Sequence, residues 1–102
     1  MAETETKYSP AAAALLRANL GFFDSDIPPE LETYLYQLLE YAYDDFAEKN
    51  IFLSPGVLKD DMDQMILAAW MYRNGVTGAG KHEMLKSIIR NRQLGNALKE
   101  GA

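Results

Sequence analysis

Cysteine is missing altogether, and histidine occurs once, at His82. Without cysteine there is no disulfide framework, no thiolate metal site and no cysteine nucleophile, so stability has to come from packing or from partners. No apolar stretch reaches the ~20 residues of a membrane span, and the opening Met1-Ala2-Glu3-Thr4-Glu5-Thr6-Lys7 is too polar and acidic for a signal peptide. These absences predict a soluble, intracellular protein with no membrane contact. Cations are scarce too: ten Lys and Arg face fifteen Asp and Glu, a net charge of −5.

What is present is apolar surface, 48% of 102 residues, which excludes a wholly disordered chain and suits a single domain with a moderate core. The charge is divided along the chain. Residues 1–72 hold four Lys/Arg against thirteen Asp/Glu, and from Arg73 onward six Lys/Arg stand against two Glu. A basic end on an acidic body can bind nucleic acid, can bind the acidic body of a neighbouring copy, or can be a solvated helix face.

The run Met65-Ile66-Leu67-Ala68-Ala69-Trp70-Met71-Tyr72 dominates the hydrophobic pattern. So short a run suits a central strand or a buried helix, and its flanks decide between them. Upstream lie Asp60, Asp61 and Asp63, suited to the positive end of a helix dipole; downstream lie Arg73, suited to the negative end, and Gly75, a helix stop. The expectation is a helix from about Leu58 to Asn74 that is apolar all round and has neighbours on every side. Trp70, Ile66 and Ala69 are expected in the core.

Before it, Ser9-Pro10 opens a helix with the serine as N-cap and the proline at the first helical position, and Gly21 ends it. Its stripe is Ala12, Ala13, Leu16 and Leu20. Phe22 to Pro29 read as a turn-rich link whose acids, Asp24 and Asp26, satisfy backbone donors rather than hold a metal. A long helix then runs from Pro29 to about Lys49. Its polar stripe is Glu30, Thr33, Gln37, Glu40, Asp44 and Glu48, and its core stripe Leu31, Leu35, Leu38, Ala42 and Phe46. Tyr34, Tyr36, Tyr41 and Tyr43 flank the seam and are candidate interface residues, because tyrosine buries much area at low entropic cost. Asn50 is placed to cap this helix; Ile51-Phe52-Leu53 is a short extended stretch that either pairs with another copy or stays irregular.

Two motif matches fail on inspection. Gly75-Val76-Thr77-Gly78-Ala79-Gly80-Lys81 fits the G-x-x-x-x-G-K of a phosphate-binding loop, but His82 stands where a magnesium-holding Ser or Thr is needed, and a helix rather than a strand precedes it. It reads as a glycine loop joining two helices. His82-Glu83 begins a zinc-protease motif whose second histidine is absent. The expectation is therefore no catalytic residues, no cofactor and no metal. The closing helix, about Glu83 to Leu98, carries Met84, Leu85, Ile88, Ile89, Leu94 and Leu98 on its apolar side. Leu85 and Ile88 are placed in the core, and Lys86, Arg90 and Arg92 on an outer, interacting face.

The pattern as a whole is all-α: a single domain of about four helices, with a disordered tail at 1–8, a helical domain at 9–98 and a short tail at 99–102. The combination of Ala68-Ala69-Trp70-Met71-Tyr72-Arg73, the glycine loop and Met84-Leu85-Lys86-Ser87-Ile88-Ile89-Arg90-Asn91-Arg92 resembles the small head-tail connector proteins of tailed bacteriophages and prophages. Leu15-Leu16-Arg17-Ala18-Asn19-Leu20-Gly21 and the long second helix fit the same layout, so the likeness covers residues 10–98. The Ala-rich first helix and the long Tyr-rich second one depart from many of those proteins. The resemblance implies a subunit of a homo-oligomeric ring beneath the portal protein, touching tail-completion proteins and lining a channel through which DNA passes without sequence-specific binding. It also implies assembly in the bacterial cytoplasm and residence in the virion. The rival classes are a small DNA-binding or regulatory protein-interaction module that uses the basic last helix, and a nucleotide binder built on the glycine loop.

Overall fold

The computed structural model describes residues 7–22, 27–77 and 79–101. The expectations for residues 1–6, for Asp24 and Asp26 within 23–26, for Gly78, for residue 102 and for the side chains from 96 onward, Leu98 included, lie outside the described residues. Four helices follow one another: α1 (Pro10–Asn19), α2 (Pro29–Glu48), α3 (Leu58–Asn74) and α4 (Lys81–Gly101). The fold is all-α, and α3 sits in the middle, packed closely against α1 and α2 and more lightly against α4. No described helix is long and apolar enough to cross a membrane.

Local chemistry sets the ends. The Ser9 hydroxyl accepts the Ala12 N–H at 3.1 Å, and Pro10 takes the first helical position. At the other end of α1, Gly21 adopts φ +86° while Phe22 N–H reaches back to the Arg17 carbonyl at 2.8 Å. That bond, across a residue in the left-handed region, satisfies carbonyls the helix leaves free, and it favours glycine there. Asn50 does the same for α2 at φ +63°, with Ile51 N–H on the Phe46 carbonyl at 3.0 Å. Ile51 to Leu53 stay irregular, and Leu53 turns into the core.

Ala12, Leu16, Leu38, Leu39, Ala42, Phe46, Leu67, Ala68 and Met71 are fully buried. Leu35, Ala69, Leu85 and Ile88 join them. Alanines on α1 and at Ala68 and Ala69 of α3 let two helix backbones approach closely where larger side chains would hold them apart. Leu39, which lies outside the expected core stripe of α2, is fully buried as well. Two other expectations change in the opposite direction. Ile66 and Trp70 are only half-buried, because α3 keeps a strip open toward Met62 and Arg73, both exposed. Eight apolar residues in a row guarantee that every face of a helix is apolar, but not that every face is covered. The last helix also departs from expectation: it begins at Lys81 and continues past Leu98 to Gly101.

Candidate interaction surfaces

The first turns of α3 form a polar hub that ties the other parts of the chain together. Val57 caps the helix without a side-chain bond, and the acids one turn inside reach back instead. Asp60 Oδ2 accepts the Ser54 N–H at 2.8 Å, and Asp61 Oδ1 accepts the Gly56 N–H at 3.2 Å. Asp61 Oδ2 also accepts from the Ser9 hydroxyl at 2.9 Å, joining the starts of α1 and α3. Gln64, 1% exposed, donates from Nε2 to the carbonyls of Lys7 and Leu39, both at 2.8 Å. Asp61 and Gln64 are nearly inaccessible to water, so each of these bonds also prevents an unsatisfied buried polar group.

The hub reaches α4 through Arg92. Its Nη1 lies 3.0 Å from Asp60 Oδ1 and 2.6 Å from Asp63 Oδ2. Burial pulls the guanidinium pKa down, but the hydrogen bonds to Asp63 and Asp60 outweigh that and hold it above its ordinary value. Arg92 is therefore not part of the outer interacting face expected of it; it fastens α4 to α3. The reason is long-range: these partners are some thirty residues away in sequence. Lys81, the lysine of the phosphate-loop match, is engaged likewise, with Nζ 3.1 Å from Asp45 Oδ2. That contact is coulombic, since Asp45 Oδ2 has no well-directed hydrogen bond. Above Trp70, the glycine loop closes down so far that a Cβ on Gly80, at φ +98°, would lie 3.4 Å from the indole.

The four candidate tyrosines separate into two pairs. Tyr36 stacks on Tyr8 with ring centroids 5.3 Å apart and donates its hydroxyl to Glu32 Oε2 at 2.9 Å. That hydrogen bond, aided by burial and the Glu32 charge, raises its pKa. Tyr43 is half-buried against the core. Neither is free to meet a partner with its whole ring. Tyr34 and Tyr41 remain on the surface, 38% and 48% exposed, on the same side as Glu30, Gln37, Glu40, Asp44 and Glu48, all exposed. Lys7 and Tyr8, placed by sequence in a frayed tail, are held: Lys7 Nζ is 3.0 Å from Asp44 Oδ1, which raises the lysine pKa.

Three unlike surfaces result. The first is the acidic face of α2 with Tyr34 and Tyr41. The second is the outer face of α4, where Lys86 and Arg90 are exposed. The third was not singled out by sequence: Phe52 (67% exposed), Val57, Leu58 (64%) and Met62 are exposed apolar residues on the segment leading into α3 and on its first turns. The signal was available in the sequence, since Val57-Leu58 precede the first acid of a helix whose core run starts only at Met65. No known protein family, no characterised protein and no solved structure matches the chain. Among the described residues, no three His, Asp or Glu side chains gather as metal ligands. Exposed charge and exposed apolar side chains lie in separate places on the described residues.

Proposed function

We propose that this chain is a non-enzymatic assembly protein, a head-tail connector subunit of a tailed phage, part of a ring joining the portal vertex of the DNA-filled head to the tail. The observation that carries the reading is the placing of three unlike exposed surfaces on one small helical body. A two-fold dimer uses one patch twice, whereas a ring needs two different patches that meet from copy to copy. A third patch then remains for portal or tail-completion proteins. Concentrated exposed apolar residues mark contact sites, and Phe52, Val57, Leu58 and Met62 suit that third role. The net charge of −5 keeps the body from adhering to DNA moving through the channel. The protein would assemble in the host cytoplasm and end in the virion.

The test is genetic and visual. Deleting the coding region from the phage or prophage that carries it, then viewing lysates by electron microscopy, should show DNA-filled heads and separate tails that a plasmid copy joins again. Normal joined particles after deletion would refute the role.

A further inference from the structure

On α4, His82, Lys86 and Arg90 recur at every fourth residue, and all three are exposed. At ~1.5 Å rise per residue the rungs of this ladder stand ~6 Å apart. Beside it runs a groove of about 320 Å³ lined by Lys49, His82, Lys86, Ile89, Arg90 and Gln93. Ile89 and Gln93 are shared with a second hollow, also about 320 Å³, against Asn50, Ile51 and Phe52. The groove thus has an apolar floor, a cationic rim and no carboxylate in its lining. The acids adjoining it in sequence are Glu48 and Glu83, both exposed.

On α2, Glu40, Asp44 and Glu48 also recur at every fourth residue and are all exposed, with Tyr41 beside Glu40. Like charges one turn apart on a helix repel. Lys86 and Arg90 carry that repulsion on α4, and Glu40, Asp44 and Glu48 carry it on α2; among the described residues the acidic ladder is relieved by Lys7 on Asp44, a solvent-screened pair whose side chains are 41% and 51% exposed. Facing helices with matched rungs would turn both repulsions into attraction.

We propose that the α4 groove docks the acidic ladder of α2 from a second copy of this chain, with Tyr41 lying over Ile89. The proposal rests on the ring-forming reading given above, and it names which two of the three surfaces meet. Charge complementarity selects this occupant. A nucleic acid would have to approach past an acidic body, thirteen Asp and Glu within the first 72 residues, and would leave the Ile89 floor unused. An aromatic ring flanked by carboxylates uses both parts of the groove, as helix-in-groove recognition requires.

Because the chain has no cysteine, a spin label can be placed at one site, Ser87→Cys, which is exposed and outside the groove lining. Labelled protein mixed with nitrogen-15 protein at millimolar concentration and low salt should broaden amides of residues 37–48 in the isotopic copy, and less so at high salt. Lys86→Glu with Arg90→Glu in the labelled copy should weaken association about tenfold or more, and Glu40→Lys with Asp44→Lys in the isotopic copy should restore it. No broadening, broadening centred elsewhere, or failure of the reciprocal reversal overturns the proposal. So does duplex DNA perturbing the groove amides where a second copy does not. Particle assembly separates the two readings: broadening with normal joining in the deletion strain sinks the connector role and keeps the contact, while a joining defect without broadening does the reverse.

Discussion

Replacing Arg92 with Met keeps the hydrophobic stem and removes the cation shared by Asp60 and Asp63. Exposed ion pairs contribute ~0–1 kcal/mol, and breaking a fully buried one costs ~3–5 kcal/mol. Here the side chains are 20%, 13% and 17% exposed, which lies between the limits, and Asp60 keeps the Ser54 N–H as a partner. About 2 kcal/mol is expected for Arg92→Met, or a Tm lowered by about 10 °C for a domain of this size. The sharper expectation is a change of sign. In the native chain Asp63→Asn removes a 2.6 Å contact to Arg92 and should destabilise. In the Arg92→Met background Asp60 and Asp63 are like charges one turn apart with nothing between them, so the same Asp63→Asn should stabilise. Urea unfolding followed by circular dichroism, run as a double-mutant cycle, measures both. Equal cost for Asp63→Asn in the two backgrounds would show that Arg92 is a free surface cation and that α4 is held in some other way.

Other expectations follow from single contacts. Gly80→Ala puts a Cβ on a residue at φ +98°, where L side chains are strained, with only ordinary contact to Trp70 at 3.4 Å; a loss of about 1–2 kcal/mol is expected by thermal melting, and an unchanged Tm would mean that Gly80 does not hold that conformation. Gln64→Leu deletes two 2.8 Å hydrogen bonds and leaves two carbonyls short of a partner, costing about 2 kcal/mol; amide exchange near Lys7 should accelerate together with that of α2. Tyr36 has its pKa raised by the bond to Glu32, so the folded state holds that proton more tightly than the unfolded chain. Its contribution is complete below the unfolded value of ~10 and is lost as pH rises through the folded value. Alkaline difference spectra should show two late-ionising tyrosines, Tyr36 and Tyr8, the latter raised by burial and the Glu40 charge, and Glu32→Gln should bring only Tyr36 earlier.

The boundaries of α1, α2 and α3 were legible because they are written in adjacent residues, whereas α4, with no such cap or stop at its start, begins at Lys81 rather than Glu83. Ser9-Pro10, Pro29 after Pro28, and Gly75 are caps and stops whose chemistry acts within one turn, and α3 falls at Leu58–Asn74 as its flanks imply. The pairing of surfaces was not legible. Asp60, Asp61 and Asp63 read as dipole partners of their own helix, while their carboxylates actually reach Ser54, Gly56, Ser9 and Arg92. Nothing in a period or a cap encodes which distant cation a carboxylate meets. The same limit explains Tyr36 on Tyr8, and Arg92 moved from the outer face to the hub. Half-burial of Trp70 and Ile66 was beyond pattern reading for a different reason: hydrophobicity shows what a face prefers, and the number and angle of neighbouring helices decide what it receives.

Trp70 is the chain's one tryptophan, half-buried, with Gly80 at the threshold of α4 set against its ring. That position makes the indole an optical gauge of one event. Its emission should shift to longer wavelength when the last helix lifts away and uncovers the ring beside Gly80. A chain observed by fluorescence and by circular dichroism would then report two transitions wherever α4 leaves first, and the gap between them would measure how firmly α4 is held on α3.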